Sequence, residues 1–229
     1  MKIHYLQHVP FEDAANIGHW AKENGYSITN TKLYENQPLP EIDDIDILAI
    51  MGGPMNIYQY RDYPWLKDEK LFIEKAINKQ VKVIGVCLGA QLIADVLGAK
   101  VFQNPYVEIG WHDVVLDKSS SSSNHFRDFP KTFTAFHWHG DTFEIPMGAV
   151  NLASSEACAN QVFGYDNNVI GLQFHIEYSK ESIEKMLDNC SDEIVEGQYI
   201  HMPQQIRDGY NNIDHNTILL NKLLNSLCG

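Results

Sequence analysis

A chain of 229 residues with 30 acidic and 17 basic side chains carries a net charge of −13 at neutral pH. That sign repels phosphate backbones and anionic headgroups, so nucleic acid and membrane surfaces are poor partners. Hydrophobic residues make up 44% of the chain and aromatic residues 11%, enough for a sizeable core, which argues against disorder and for one large domain.

Residues 1–10 lack a charged segment leading into an apolar one, so no secretion signal is expected. No apolar run approaches the roughly 20 residues that span a bilayer. Cys87, Cys158, Cys190 and Cys228 form no C-x-x-C pair, and free thiols in a reducing cytoplasm are the simplest expectation.

In chain order, Lys2–Gln7 reads as a first strand and Phe11–Asn24 as a helix closed by Gly25. Tyr26–Leu33 alternates weakly as a second strand. Ile45–Met51 is a continuous apolar run ending at Gly52-Gly53-Pro54, the pattern of a strand buried on both faces. Pro64–Lys79 predicts a helix, Val81–Val86 another buried strand and Ala90–Leu97 a short helix. This alternation predicts a parallel sheet covered on both faces. Further on, Val107–Leu116, Thr132–His137, Val150–Ser154, Gln161–Tyr165 and Val169–Phe174 are strand-like, and Ser119–Ser123 reads as a solvated loop. Helices over Lys180–Asn189 and Asn212–Leu227 close the chain, while Cys190–Gly209 shows no period.

Gly85-Val86-Cys87-Leu88-Gly89 has the form of a tight strand-to-helix turn that presents a nucleophile. A cysteine there meets the free N–H groups of a helix start, which favour thiolate. By itself the pentapeptide fits a buried structural thiol as well. A nucleophile needs a base, and the base an orienting group. Gln173-Phe174-His175-Ile176-Glu177 offers both, because positions i and i+2 of an extended chain face the same side. If both strands are parallel, Cys87, His175 and Glu177 gather at one sheet edge. The N–H groups of Leu88 and of Gly53 are then the expected donors to an oxyanion. His137, His139 and Asp141 also alternate and could ligate a metal from one face.

Together, G-G-P at 52–54, G-V-C-L-G-A-Q at 85–91, H-G-D at 139–141 and Q-F-H-I-E at 173–177 resemble the class I (triad) glutamine amidotransferase domain. E-I-G-W at 108–111 and F-H-W-H-G-D at 136–141 are similar to a stand-alone branch related to the glutaminase domain of GMP synthase. The resemblance implies a flavodoxin-like α/β domain over residues 1–229, with a mixed, mainly parallel sheet flanked by helices and residues 190–229 as a helical C-terminal extension. It implies Cys87 as nucleophile, His175 as general base and acid, Glu177 as the residue orienting His175, and Gly53 and Leu88 as the oxyanion hole. Gln91, Gly140 and Asp141 would contact the substrate.

The implied reaction is hydrolysis of a γ-glutamyl amide through a thioester, with neither metal nor organic cofactor, since the family pattern accounts for 137–141 without an ion. Glutamine is the first substrate expected and a γ-glutamyl peptide or conjugate the alternative; a non-catalytic, partner-binding subunit is a rival of another class. Ile176 stands where many members have proline. No ATP-using synthase segment follows before Gly229, so an ammonia-using synthase would be a separate subunit.

Overall fold

The structure, a computed structural model, describes residues 1–229. The first half runs β1 (Lys2–Gln7), α1 (Ala15–Glu23), β2 (Ser27–Lys32), β3 (Ile47–Ile50), α2 (Leu66–Asn78), β4 (Lys82–Val86) and α3 (Leu88–Val96). The second half adds β5 (Val101–Leu116), β6 (Thr132–Phe143), β7 (Ala149–Ser154), β8 (Val162–Tyr165) and β9 (Val169–Leu172). Helices α4 (Lys180–Asn189), α5 (Pro203–Asp208) and α6 (Ile213–Cys228) close the chain.

All nine strands join one sheet in the order β2-β1-β3-β4-β9-β8-β7-β5-β6. The pairs from β2 to β9 are parallel and those from β9 to β6 antiparallel. Every residue of β3 and β9 is buried, as continuous apolar runs require when helices cover both faces. Strand alternation splits the core in two. Ile47, Ala49 and Ile170 pack with α1 and α6, whereas Leu48, Ile50 and Val169 pack with α2 and α3. A third cluster lies under α4 and α5, where Ile109, Trp111 and Phe136 meet Ile183, Met186 and Ile206. No helix is long and apolar enough to cross a membrane.

Several boundaries depart from the sequence pattern for local reasons. Helix α1 begins at Ala15 rather than Phe11, because the Asp13 carboxylate accepts the Ala15 N–H at 2.9 Å and Glu12 turns inward. Strand β6 continues through the polar 139–142 stretch because β5 pairs with it there. The serine run forms a 3-10 turn over Lys118–Ser122 instead of a solvated loop, with Ser120 buried and its hydroxyl donating to the Asp117 carbonyl. The aperiodic stretch after α4 holds a 3-10 turn at Ser191–Glu193 and, past Met202, α5.

Candidate active site

Parallel pairing of β3, β4 and β9 brings their C-terminal ends to one edge. Cys87 follows β4 directly and is the residue before α3, with φ 52° and ψ −109°. A side chain other than glycine in that region is strained, by about 1–3 kcal/mol, and surrounding packing must hold it there. Two glycines let the packing do so. A Cβ on Gly85 would stand 2.5 Å from the Gly89 carbonyl carbon, and one on Gly89 would overlap the Ile50 carbonyl. Thus α3 seats directly on the ends of β3 and β4.

His175 and Glu177 lie just past β9. The His175 N–H donates to the Phe136 carbonyl at 2.8 Å and its carbonyl accepts from Phe136, which fixes the backbone between two strands. His175 Nδ1 is 2.7 Å from Glu177 Oε1, both side chains are 1% exposed, and the Tyr178 ring stacks on the imidazole at 4.1 Å. Burial alone disfavours imidazolium. Glu177 and the Cys87 sulfur together outweigh it, and the His175 pKa is pushed up to about 10.

A second buried carboxylate, unforeseen in the sequence, faces the same imidazole. Glu12 accepts the Tyr178 hydroxyl proton at 2.8 Å, and burial pushes its pKa up although His175 pulls the other way. Gly52 is a glycine because a Cβ there would overlap Glu12 and stand 3.4 Å from the His175 ring. The neighbouring His8 is also new. Its Nδ1 lies 2.9 Å from the Gly52 carbonyl and its Nε2 2.8 Å from Glu69, both groups that only accept, so His8 is a buried imidazolium clamping the Gly52-Gly53 turn. Burial opposes that charge and Glu69 outweighs it, raising the His8 pKa.

The other expected residues collect around Cys87 in a cavity of 270 Å³ that includes Gly53, Gln91, Gly140 and Asp141 in its walls. The Gly53 N–H makes no hydrogen bond within the chain, nor does that of Leu88, the first residue of α3. A Cβ on Gly53 would be 3.1 Å from Leu88 Cδ2, so the Gly53 turn packs against the Leu88 side chain. Gln91 Nε2 reaches Gln173 at 3.3 Å and the Asp141 carbonyl at 3.4 Å. The Cys87 sulfur accepts from Gln173 Nε2 and faces the Trp138 carbonyl, each at 3.7 Å. Asp141 leaves the face of His137 and His139, its carboxylate accepting from Asn56 at 3.0 Å; Glu108 joins the two imidazoles instead.

The other thiols stand in different surroundings. Cys190 also lines the cavity, but burial and Glu193 push its thiol up to about 12. Burial likewise raises Cys158 and Cys228. Of the residues missed, Tyr178 was within reach as the direct successor of Glu177. Nothing in the local pattern marks His8 or Glu12, which arrive through the turn after β1.

Comparison with known proteins gives the family and the fold. The family model described as glutamine amidotransferase class-I matches residues 14–194. The glutamine amidotransferase-like protein YfeJ of Salmonella typhimurium is 34% identical over 202 residues, covering 86% of this chain and 84% of that one. The glutamine-hydrolyzing GMP synthase of Borrelia garinii subsp. bavariensis is 31% identical across 70% of this chain, which spans only 30% of that enzyme. Gamma-glutamyl peptidase 3 of Arabidopsis thaliana is 28% identical over 65% of this chain and 61% of its own. A crystal structure of a glutamine amidotransferase from Thermotoga maritima superposes with a TM-score of 0.90 at 30% identity, covering 99% of this chain and 97% of that one.

Proposed function

The chain belongs to the class I glutamine amidotransferase family, and from that premise we propose that it hydrolyses a γ-glutamyl amide with Cys87, His175 and Glu177. The Cys87 sulfur attacks the amide carbon while the proton of the pair resides on His175. Negative charge forms on the carbonyl oxygen, where the N–H groups of Gly53 and Leu88 receive it. Collapse breaks the C–N bond as His175 returns the proton to the leaving amine. A water then gives a proton to His175 and attacks the thioester, releasing glutamate and restoring the pair. Glu177 fixes the ring and stabilises imidazolium throughout, and His8 holds the turn carrying Gly53. Gln91, Gly140 and Asp141 line the side of the cavity suited to the α-amino and carboxylate groups of the substrate.

One observation carries this reading. A strained cysteine opens a helix on the same sheet edge as a buried His–Glu pair. Glutamine is the substrate we place first, its ammonia being released or passed on to a synthase, a reading the GMP synthase likeness supports. The likeness to a gamma-glutamyl peptidase favours a second reading, a γ-glutamyl peptide or conjugate. Mass spectrometry of glutamine, glutathione and other γ-glutamyl amides incubated with the protein separates the two. Glutamate should be released by the wild type and not by Cys87→Ala. If the wild type cleaves none of them, or Cys87→Ala cleaves as fast, the assignment is wrong; the first result would favour a partner-binding role over catalysis, and the second a nucleophile other than Cys87.

A further inference from the structure

Glu108, His137 and His139 form a second constellation, on one face of the ribbon made by β5 and β6. Glu108 stands opposite His139 in the ladder, and Gly110 opposite His137, so the carboxylate and both imidazoles share that face. All three side chains are at most 1% exposed. One donor atom from each lies within 4.8 Å of the others. His139 Nε2 is 2.9 Å from Glu108 Oε2, and His137 Nδ1 is 3.7 Å from the same oxygen. Ligands bound at about 2.1 Å to a tetrahedral ion stand ~3.4 Å apart, between these two distances.

Hydrogen bonding within the cluster leaves these atoms unexplained. Both nitrogens of His137 are buried without a partner. His139 Nε2 is also unpartnered, near the carboxylate oxygen yet not aligned to donate to it. The other nitrogen of that ring, Nδ1, lies 3.1 Å from the Asp141 carbonyl, which can only accept. In the neutral ring the proton therefore sits on Nδ1, and Nε2 turns a lone pair toward a carboxylate. Those two lone pairs repel unless a cation stands between them.

The surrounding contacts are those that orient metal ligands. A backbone carbonyl holds the far nitrogen of His139, and the Ser155 hydroxyl donates to Glu108 Oε1 at 2.7 Å. Gln161 Nε2 donates to Oε2 at 2.7 Å, leaving that oxygen one further lone pair. We propose that Glu108, His137 and His139 bind one divalent ion of the zinc class, leaving its remaining position to water. Two imidazoles and one carboxylate are a donor set suited to zinc, cobalt and nickel rather than to magnesium or calcium. The ion would brace the strand between His137 and His139, where the Trp138 carbonyl faces the Cys87 sulfur. The site stands independently of the amide-hydrolysis reading.

The test is calorimetric titration of chelator-treated full-length protein with zinc chloride alone, paired with the visible spectrum after cobalt(II) addition. One equivalent per chain is expected, with the intense bands of tetrahedral cobalt. His137→Phe and Glu108→Gln should each weaken binding at least 100-fold, and Ser155→Ala about 10–100-fold. The cobalt spectrum needs no variant, so it stands if a substitution prevents folding. Absence of saturable binding would overturn the proposal and leave Glu108, His137 and His139 as a metal-free polar cluster. Pale octahedral bands, or binding unchanged in both His137→Phe and Glu108→Gln, would overturn it in favour of surface histidines.

Discussion

Replacing Glu177 by Gln keeps the shape of the side chain and removes one charge from a wholly buried pair. The His175 pKa, raised from 6.5 to about 10, corresponds to a net preference for imidazolium on the order of 5 kcal/mol after the cost of burial has been met. Without the carboxylate that cost is opposed mainly by the Cys87 sulfur, so the His175 pKa in Glu177→Gln should fall below 10. Glu177 is absent from the cavity wall, so KM should change little while kcat drops by about 10³–10⁴, the loss seen when the acid of a triad becomes an amide. The alkaline limb of the pH–rate profile reports loss of the proton that His175 gives to the leaving amine. It should therefore move from near pH 10 toward neutrality.

Stability should follow the same proton. A folded-state pKa above the unfolded value contributes stability that is complete below about pH 6.5 and is lost as pH rises through about 10. The gap in unfolding free energy between wild type and Glu177→Gln should accordingly be wide at pH 6 and close toward pH 10. Kinetics across pH, NMR titration of His175 and urea unfolding at both pH values measure the three effects. A kcat within tenfold of wild type, or an alkaline limb that stays in place, would refute the role given to Glu177.

Three other substitutions probe the scaffold. Gly89→Ala pushes a methyl group into the Ile50 carbonyl and should cost more than about 3 kcal/mol in urea unfolding; a smaller loss would show that α3 does not depend on this approach. His8→Leu leaves Glu69 buried without its cation, for which about 3–5 kcal/mol of destabilisation is expected, and kcat should fall more than KM rises as the Gly53 turn loosens. Equal kcat in soluble His8→Leu would separate His8 from the oxyanion turn. Leu223→Ala, on the wholly buried side of α6, should lose about 2–5 kcal/mol without altering KM, since α6 does not touch the cavity.

Much of this arrangement was legible in the sequence because its signals are local. The Ile47–Ile50 and Val83–Val86 runs mark strands buried on both faces, and the glycines around Cys87 mark a turn whose backbone contacts exclude a Cβ. His175 and Glu177 could be paired because i and i+2 share a side. What remained hidden depends on distant segments. Glu12 and His8 enter the site only because a turn after β1 folds beneath Gly52, and for the same reason Phe11 lies outside α1 despite its helical spacing. Asp141 alternates with the two histidines in sequence, yet Asn56, far off in the chain, claims its carboxylate, and Glu108 arrives from the paired strand. Polar residues in β6 concealed a strand whose ladder lies in β5.

The sheet order has a consequence for how the chain is made. β9 is the last strand synthesised, yet it lies in the middle of the sheet, hydrogen-bonded to β4 on one side and β8 on the other. A growing chain that has not reached Val169 therefore holds two half-sheets with bare apolar edges, the kind that pair with other chains. Insertion of this one strand seals both edges and delivers His175 beside Cys87. On the proposed chemistry, completion of the sheet and arming of the thiol are one event, so a polypeptide interrupted before residue 169 should be both prone to aggregate and chemically silent.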